Sequence, residues 1–370
     1  MQKTYFKNLD ATRAIAFFLV FCAHCFVSSS PDVLNSSLFQ SIKGFGKLGF
    51  LGLEYFFVLS SFLITWIALE EYKNNNFFSL KKFLIRRSLR VWPLYFIIVT
   101  TTYIVFHFLN DVFNYEIREL PSIANFIFFI VNFYTIENGT NYLFFLVFLW
   151  SISIEEQFYL IWSFVLKYFI KYLKVFSIIL IVISIVFRWY FTEIEPIKNI
   201  LYFHTFSAFG NFGIGSLIAL MAFNQTKLFK IIKGLNFFTS IIIYCILVLS
   251  VIFYSQIFCF SYLIIFERLF YSLIFGYIII EQAFCCQPYF QLGRLKVLSF
   301  LGKISYGLYC YHGIVITSFV YALNAFSIAE NKYATILIYP IFILIITISV
   351  AAFSYKYLEK RFLKLKNKFY

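Results

Sequence analysis

Arg13 and His24 interrupt an otherwise apolar run over residues 9–28. The helical turn between them amounts to about 1100°, roughly 20° past three revolutions, with a rise of about 16.5 Å, so they share one helix face at two depths. A charged side chain at the centre of a membrane helix costs about 2.5–3.5 kcal/mol on insertion scales, and the polar pair therefore needs compensation. An imidazole there can remove a proton as a general base or carry an acyl group as a nucleophile. An arginine can hold developing negative charge, or simply snorkel to the headgroups.

A second polar group lies in LWSISIEEQFYLIW, where Glu155 and Glu156 follow Ser151 and Ser153. Adjacent carboxylates point about 100° apart on a helix, whereas Ser151 and Glu155 share a face. Glu155 is therefore the inward member, able to pair with an arginine or to orient His24 by holding the proton of its second nitrogen. The plain alternative is a pair of acids near the positive end of a helix dipole. Ser151 and Glu156 stand beside it as substrate contacts. In FLIRRSLRVWPLYF, Arg87 and Arg90 lie one helical turn apart and offer planar donors to the phosphates of a nucleotide-bearing donor. Orientation in the membrane and contact with anionic lipid would produce the same cluster.

Glu54, in GLEYFFVLSSFLIT, could bind an acceptor hydroxyl or pair with a cation, and His312, in KISYGLYCYHGIV, is a further substrate-contact candidate. Glu281 and Gln282 are weaker ones, and His107 and His204 fit interfacial positions. Cys22, His24 and Cys25 have two-ligand spacing but no second Cys/His pair to complete a metal site, so no metal is expected. The cysteines imply no disulfide framework. There is no glycine-rich phosphate loop, HExxH helix or GxSxG elbow.

These residues must be positioned by membrane helices. A chain of 370 residues that is 62% hydrophobic and only 13% charged, with mean hydropathy +0.83, is not a soluble enzyme. Aromatic residues make up 24% of it, more than one soluble core could enclose. The net charge of +14 falls in short clusters between apolar runs, which points to membrane orientation and anionic lipid rather than nucleic acid. About ten segments are long enough to span: 9–28, 50–69, 91–109, 143–166, 175–192, 202–222, 235–254, 258–280, 303–327 and 334–355.

With the N-terminus inside, most lysines and arginines collect on the inner side, from Lys3 and Lys7 to the closing run from Lys356 to Lys368, against Lys43, Lys47, Arg118, Lys198 and Lys332 outside. The expected fold is thus an all-α integral membrane bundle of about ten transmembrane helices with both termini cytoplasmic. Residues 1–370 form a single domain with no fused soluble domain, and the first run is a retained span rather than a cleaved signal. The short apolar segment 122–136 reads as an outer re-entrant or interfacial helix.

Several blocks, in order, resemble the bacterial integral-membrane acyltransferase-3 family. LDATRAIAFFLVFCAHCF is similar to its first helix, and GLEYFFVLSSFLIT, RRSLRVWPLYF, WSISIEEQFYL, LGKISYGLYCYH and YLEKRFL follow as similar blocks across nearly the whole chain. Ala11 and Ser61 stand where that family usually has glycine, Glu54 where aspartate is common, and Ser163 where proline often follows. The resemblance implies transfer of an acyl group, acetyl by default, from cytoplasmic acyl-CoA to a hydroxyl of a surface glycan or lipid-linked sugar in the bacterial inner membrane. No permanently bound cofactor is implied, with acetyl-CoA as donor substrate. It implies catalytic roles for His24, Glu155 and Arg13, and donor binding by Arg87 and Arg90. The alternative reading is a proton- or ion-coupled transporter, since intramembrane His, Arg and Glu also mark relays, and a binding or scaffold protein is a third.

Overall fold

The computed structural model describes residues 5–28, 30–46, 49–113, 120–194, 198–285, 291–326, 328 and 330–369. Lys3, Lys47, Arg118 and Cys286 lie outside the described residues. Every regular element among those described is helical. The principal helices are α1 Lys7–His24, α2 Phe50–Asn75, α3 Leu80–Phe113, α4 Ile123–Ile127, α5 Val131–Asn138, α6 Phe144–Val147, α7 Leu149–Tyr168, α8 Leu173–Ile194, α9 Thr205–Phe223, α10 Lys227–Lys233, α11 Phe237–Ile252, α12 Ser261–Phe284, α13 Ser305–Ala325 and α14 Tyr339–Ser354.

Seven helical stretches among the described residues are long and apolar enough to cross a membrane, or up to eight if α10 and α11, bent by 88°, count as one span. The chain has the helices of an all-α, multi-pass membrane protein. Two of the ten expected spans are helical yet fall outside the apolar set. In α1 the reason is Lys7, Asp10 and Arg13; in α13 it is the tyrosines, His312 and Asn324. Both helices carry the polar residues that drew attention in the sequence, so low hydropathy and candidate chemistry coincide.

The helices sort into two compact units. The first comprises residues 1–16, 53–80 and 154–302; the second comprises 17–52, 81–153 and 303–370. The boundaries at 16/17, 52/53 and 153/154 fall inside α1, α2 and α7, that at 80/81 after the first residue of α3, and that at 302/303 before the last residue of the helix Lys296–Lys303.

In the first unit, small residues let helices approach closely, as membrane packing requires in place of a hydrophobic driving force. A Cβ on Gly215 of α9 would lie 2.2 Å from the carbonyl oxygen of Val58 on α2. Ser61, one turn along α2, uses its hydroxyl to donate to the carbonyl of Phe212 and to meet Ser216. Trp162 of α7 donates to Thr65 at 2.9 Å, and the rings of Phe158 and Phe212 stack at 4.0 Å. Ala11 is wholly enclosed, and the Ser163 hydroxyl returns to the carbonyl of Leu160.

In the second unit, the segment expected as one helix over 122–136 is instead two, α4 and α5, separated at Phe128–Ile130. Phe129 adopts φ 53°, a left-handed backbone that a bulky residue rarely takes. No glycine or proline marks this break, so helical periodicity alone could not reveal it. The segment runs along α3: Tyr103 donates to the carbonyl of Pro121, and Tyr95 donates to that of Phe126 at 3.1 Å. The Phe129 ring meets Tyr95 at 4.8 Å and Trp92 at 5.8 Å. Trp92 and Tyr103 are about 16.5 Å apart along a helix, so residues 121–129 run along α3 from Tyr103 to Trp92, and the arm after Phe129 returns to Tyr103, which lies close to Tyr134 and Tyr142. Its returning arm is tied by the hydroxyls of Thr135 and Tyr142 at 2.7 Å.

Candidate active site

His24 ends α1 and His312 lies within α13, and the second unit brings their rings to a centroid separation of 5.5 Å. Phe148 completes the cluster, 4.4 Å from His24 and 4.5 Å from His312. Phe144, one turn earlier, meets His24 at 5.9 Å, and Phe17 meets the edge of His312 at 6.1 Å. His312 is fully buried while His24 is half-buried.

The hydrogen bonding of this pair is unequal. His312 Nδ1 faces the carbonyl oxygen of Tyr309, which sets the tautomer with the proton on Nδ1 and the lone pair on Nε2. His312 Nε2 and His24 Nδ1 are both enclosed with no hydrogen-bond partner. Buried polar atoms are normally satisfied, and these two imidazole nitrogens belong to one cluster of rings.

The WSISIEE motif divides its residues between the units. Ser151 belongs to the second, where its hydroxyl meets that of Tyr309 at 2.6 Å; Tyr309 also donates to the carbonyl of Phe148 at 2.9 Å. The block containing Ser151 is thus joined to the one containing His312. Glu155 belongs to the first unit, where it accepts from Tyr159 at 2.6 Å and from Ser60 at 3.1 Å. Ser60 and Tyr159 are themselves 3.0 Å apart, which closes a ring of hydroxyls on the carboxylate. Glu156 is half-buried.

Arg13 pairs with Asp10, one turn earlier on α1, at 2.8 Å. Asp10 also accepts from Tyr5. This compensates the arginine locally, through a carboxylate in the LDATRAI block that sequence reasoning did not single out.

Glu54 is the hub of a buried ionic cluster in the first unit. It pairs with Arg268 Nε at 3.3 Å and accepts from Asn211. Arg188 pairs with Glu267 at 3.1 Å and donates to Ser207 at 2.9 Å and to the carbonyl of Ile265 at 3.0 Å. Tyr254 donates to the other oxygen of Glu267 at 2.6 Å. Of the two roles open to Glu54, pairing with a cation is the one observed. Arg188 and Arg268 stand within apolar segments of the sequence. Glu267 and Asn211 went unnoticed, although an intramembrane arginine calls for such partners.

In the second unit, Arg87 is half-buried and lies over the ring of Phe83 at 5.8 Å. Arg90, one turn on, interacts electrostatically with Glu359 of the YLEKRFL block. Arg86 has a different use: it is buried and donates to the carbonyl oxygen of Phe369 at 2.8 Å. His204 caps α9 by accepting from the Phe206 amide at 3.1 Å, an ordinary structural role. Cys25 is buried and donates to the carbonyl of Cys22, as a small thiol on a helix does.

The family model described as an acyltransferase domain matches residues 6–355. The chain belongs to this acyltransferase-3 family. It is similar to the peptidoglycan O-acetyltransferase OatA of Listeria monocytogenes, 34% identical over 181 residues, which is 47% of this chain and 26% of that protein. It is also similar to the putative peptidoglycan O-acetyltransferase YrhL of Bacillus subtilis, 28% identical over 379 residues, covering 96% of this chain and 54% of that one. A putative O-acetyltransferase of Staphylococcus aureus, SACOL0978, is 32% identical over 167 residues, 44% of this chain and 25% of its own length. The chain thus spans from a quarter to about half of the length of these relatives. No solved structure matches it.

Proposed function

We propose that the chain is a membrane O-acetyltransferase that moves an acetyl group from cytoplasmic acetyl-CoA to a hydroxyl of a cell-envelope glycan, in the bacterial cytoplasmic membrane. The observation that carries this reading is the half-buried imidazole of His24 in a ring-lined cluster, on a chain that belongs to an acyltransferase family. The names of the relatives favour acetyl as the group and a peptidoglycan-type glycan as the acceptor.

In the proposed reaction, His24 takes the proton of the acceptor hydroxyl as its oxygen attacks the thioester carbonyl. The new C–O bond forms, the C–S bond breaks, and the proton passes from His24 to the departing sulfur, which leaves as the CoA thiol. Arg13 steadies the negative charge that develops, and Glu155 is the third catalytic group, a carboxylate held ready for hydroxyls by Ser60 and Tyr159. Arg87 and Arg90 take the donor phosphates through charge-assisted bonds. Glu54 acts on the acceptor side through the buried cluster it anchors, and Ser151, Glu156 and His312 complete the substrate surroundings. Membrane lipid surrounds the acyltransferase domain.

The test compares ester content of isolated cell-envelope glycan from strains carrying the wild-type chain, no chain, and His24→Ala, with the protein quantified in membranes. The expected result is ester lost equally in the last two. Wild-type ester levels with His24→Ala present in membranes would contradict the reading.

A further inference from the structure

We infer that His312 is a positioning residue for His24: its Nε2 is the acceptor toward which the Nδ1–H of His24 turns in the reacting enzyme, and a chain of contacts from Ser151 through Tyr309 holds His312 in place. This rests on the assignment of His24 as the base. Glu155, the carboxylate the sequence offers for the orienting role, lies in the first unit; within the second unit the group beside the His24 ring is another imidazole.

Three observations converge. First, the two enclosed nitrogens without partners are one on each ring. The two nitrogens are not bonded to each other in the structure, but at a 5.5 Å centroid separation a rotation that turns them toward each other brings them to about 3 Å, an ordinary N–H···N length. Second, the tautomer is already chosen: the Tyr309 carbonyl occupies His312 Nδ1, so Nε2 can only accept. A partner that accepts at His24 Nδ1 leaves the lone pair of His24 on Nε2, the nitrogen needed to receive the hydroxyl proton. Third, the support is built. Tyr309, whose carbonyl fixes His312, is itself anchored by the hydroxyl of Ser151 at 2.6 Å and the carbonyl of Phe148 at 2.9 Å.

Gly313 makes the arrangement possible. A Cβ there would stand 2.5 Å from Cε2 of Phe148, so only glycine lets that ring lie against both imidazoles. A neutral imidazole suits this site better than a carboxylate. It orients the base without placing a buried charge among phenylalanines, where an uncompensated ion is costly. Among the described residues of this unit, the titratable groups around His24 are His312 from α13 and Cys22 and Cys25 from its own helix; α6 and the start of α7 present the rings of Phe144 and Phe148.

The test uses detergent-solubilised full-length protein, acetyl-CoA, and deacetylated envelope glycan of the host strain as acceptor, with CoA thiol release followed from pH 5 to 9. Wild type, His24→Ala, His312→Ala and His312→Gln are compared. Loss of the acceptor destabilises the protonated form of His24, so its protonation moves to lower pH. His312→Ala should lower kcat by about 100-fold with donor KM within about twofold, and shift the acidic limb of the rate profile to lower pH. His312→Gln, which restores an acceptor oxygen, should return the limb toward wild type and recover much of kcat.

Wild-type kcat and an unmoved limb in His312→Ala, with His24→Ala inactive, would overturn the positioning role and leave the base assignment standing. Activity in His24→Ala would overturn that assignment itself. Should His312→Ala fail to accumulate in membranes, His312→Gln decides: kcat within about tenfold and a wild-type limb support the role, and a folded but inactive protein overturns it.

Discussion

The hydroxyls of Tyr309 and Ser151 lie 2.6 Å apart across 158 residues of sequence and tie α13 to the start of α7. Both residues are nearly buried, so each satisfies a polar group that would otherwise be costly to enclose. Tyr309→Phe and Ser151→Ala should each lower thermal stability in detergent by a few degrees, corresponding to about 1 kcal/mol. Because they share one bond, the double variant should lose no more than about the larger single loss. Simple addition of the two losses would show the contact to be incidental.

The buried cluster around Glu54 makes a different prediction. Removing one partner of a buried ion pair costs about 3–5 kcal/mol, whereas removing both charges is often far milder. Arg268→Met should therefore sharply reduce the amount of folded protein in membranes, and the double variant Arg268→Met with Glu54→Gln should recover part of it. The Gln side chain still accepts from Asn211, which limits the second loss. Equal stability of Arg268→Met and wild type, by fluorescence-detected melting, would contradict an ionic hub.

The three arginines of RRSLR separate by function. Arg87→Ala and Arg90→Ala should each raise the KM for acetyl-CoA about tenfold, with a smaller effect on kcat, since each removes a charge-assisted contact of about 1.5–3 kcal/mol. Arg86, which holds the Phe369 carbonyl, should affect thermal stability while leaving donor KM within twofold of wild type. Steady-state kinetics over a range of donor concentrations checks both statements, and a donor KM indifferent to Arg87 and Arg90 would remove them from the donor site.

Gly313→Ala tests the ring cluster by size alone. The added methyl must displace Phe148, and a shift of about 1 Å near a reacting group can cost about 100-fold in rate. The variant should lose kcat at nearly constant donor KM. Unchanged kcat would mean that the position of Phe148 does not matter to the reaction.

Much of this was legible in the sequence because the membrane makes polar side chains conspicuous. Arg13, His24, Glu54, Arg87, Arg90, Ser151, Glu155 and His312 all stand out against apolar runs, and local spacing placed them on helix faces. Their partners were harder to read because the contacts are remote in sequence: Asn211 reaches Glu54 across 157 residues. His312 carries a weak signal by itself, since a lone histidine on an apolar helix is ordinarily a packed one; only the ring of His24 beside it changes that. Phe148 carries no signal at all, being one phenylalanine among 54. The broken hairpin at Phe129 was hidden for a related reason, since its left-handed turn uses a residue type that normally avoids it. Asp10, by contrast, lay one turn from Arg13 and could have been found from i, i+3 spacing.

The most direct measurement places purified protein in liposomes that enclose radiolabelled acetyl-CoA, with deacetylated envelope glycan outside. The account predicts label in alkali-labile ester on the external glycan with wild-type protein, and none above background with His24→Ala. Label that appears outside as free acetate with the glycan unmodified, or equal esterification by both proteins, would contradict it.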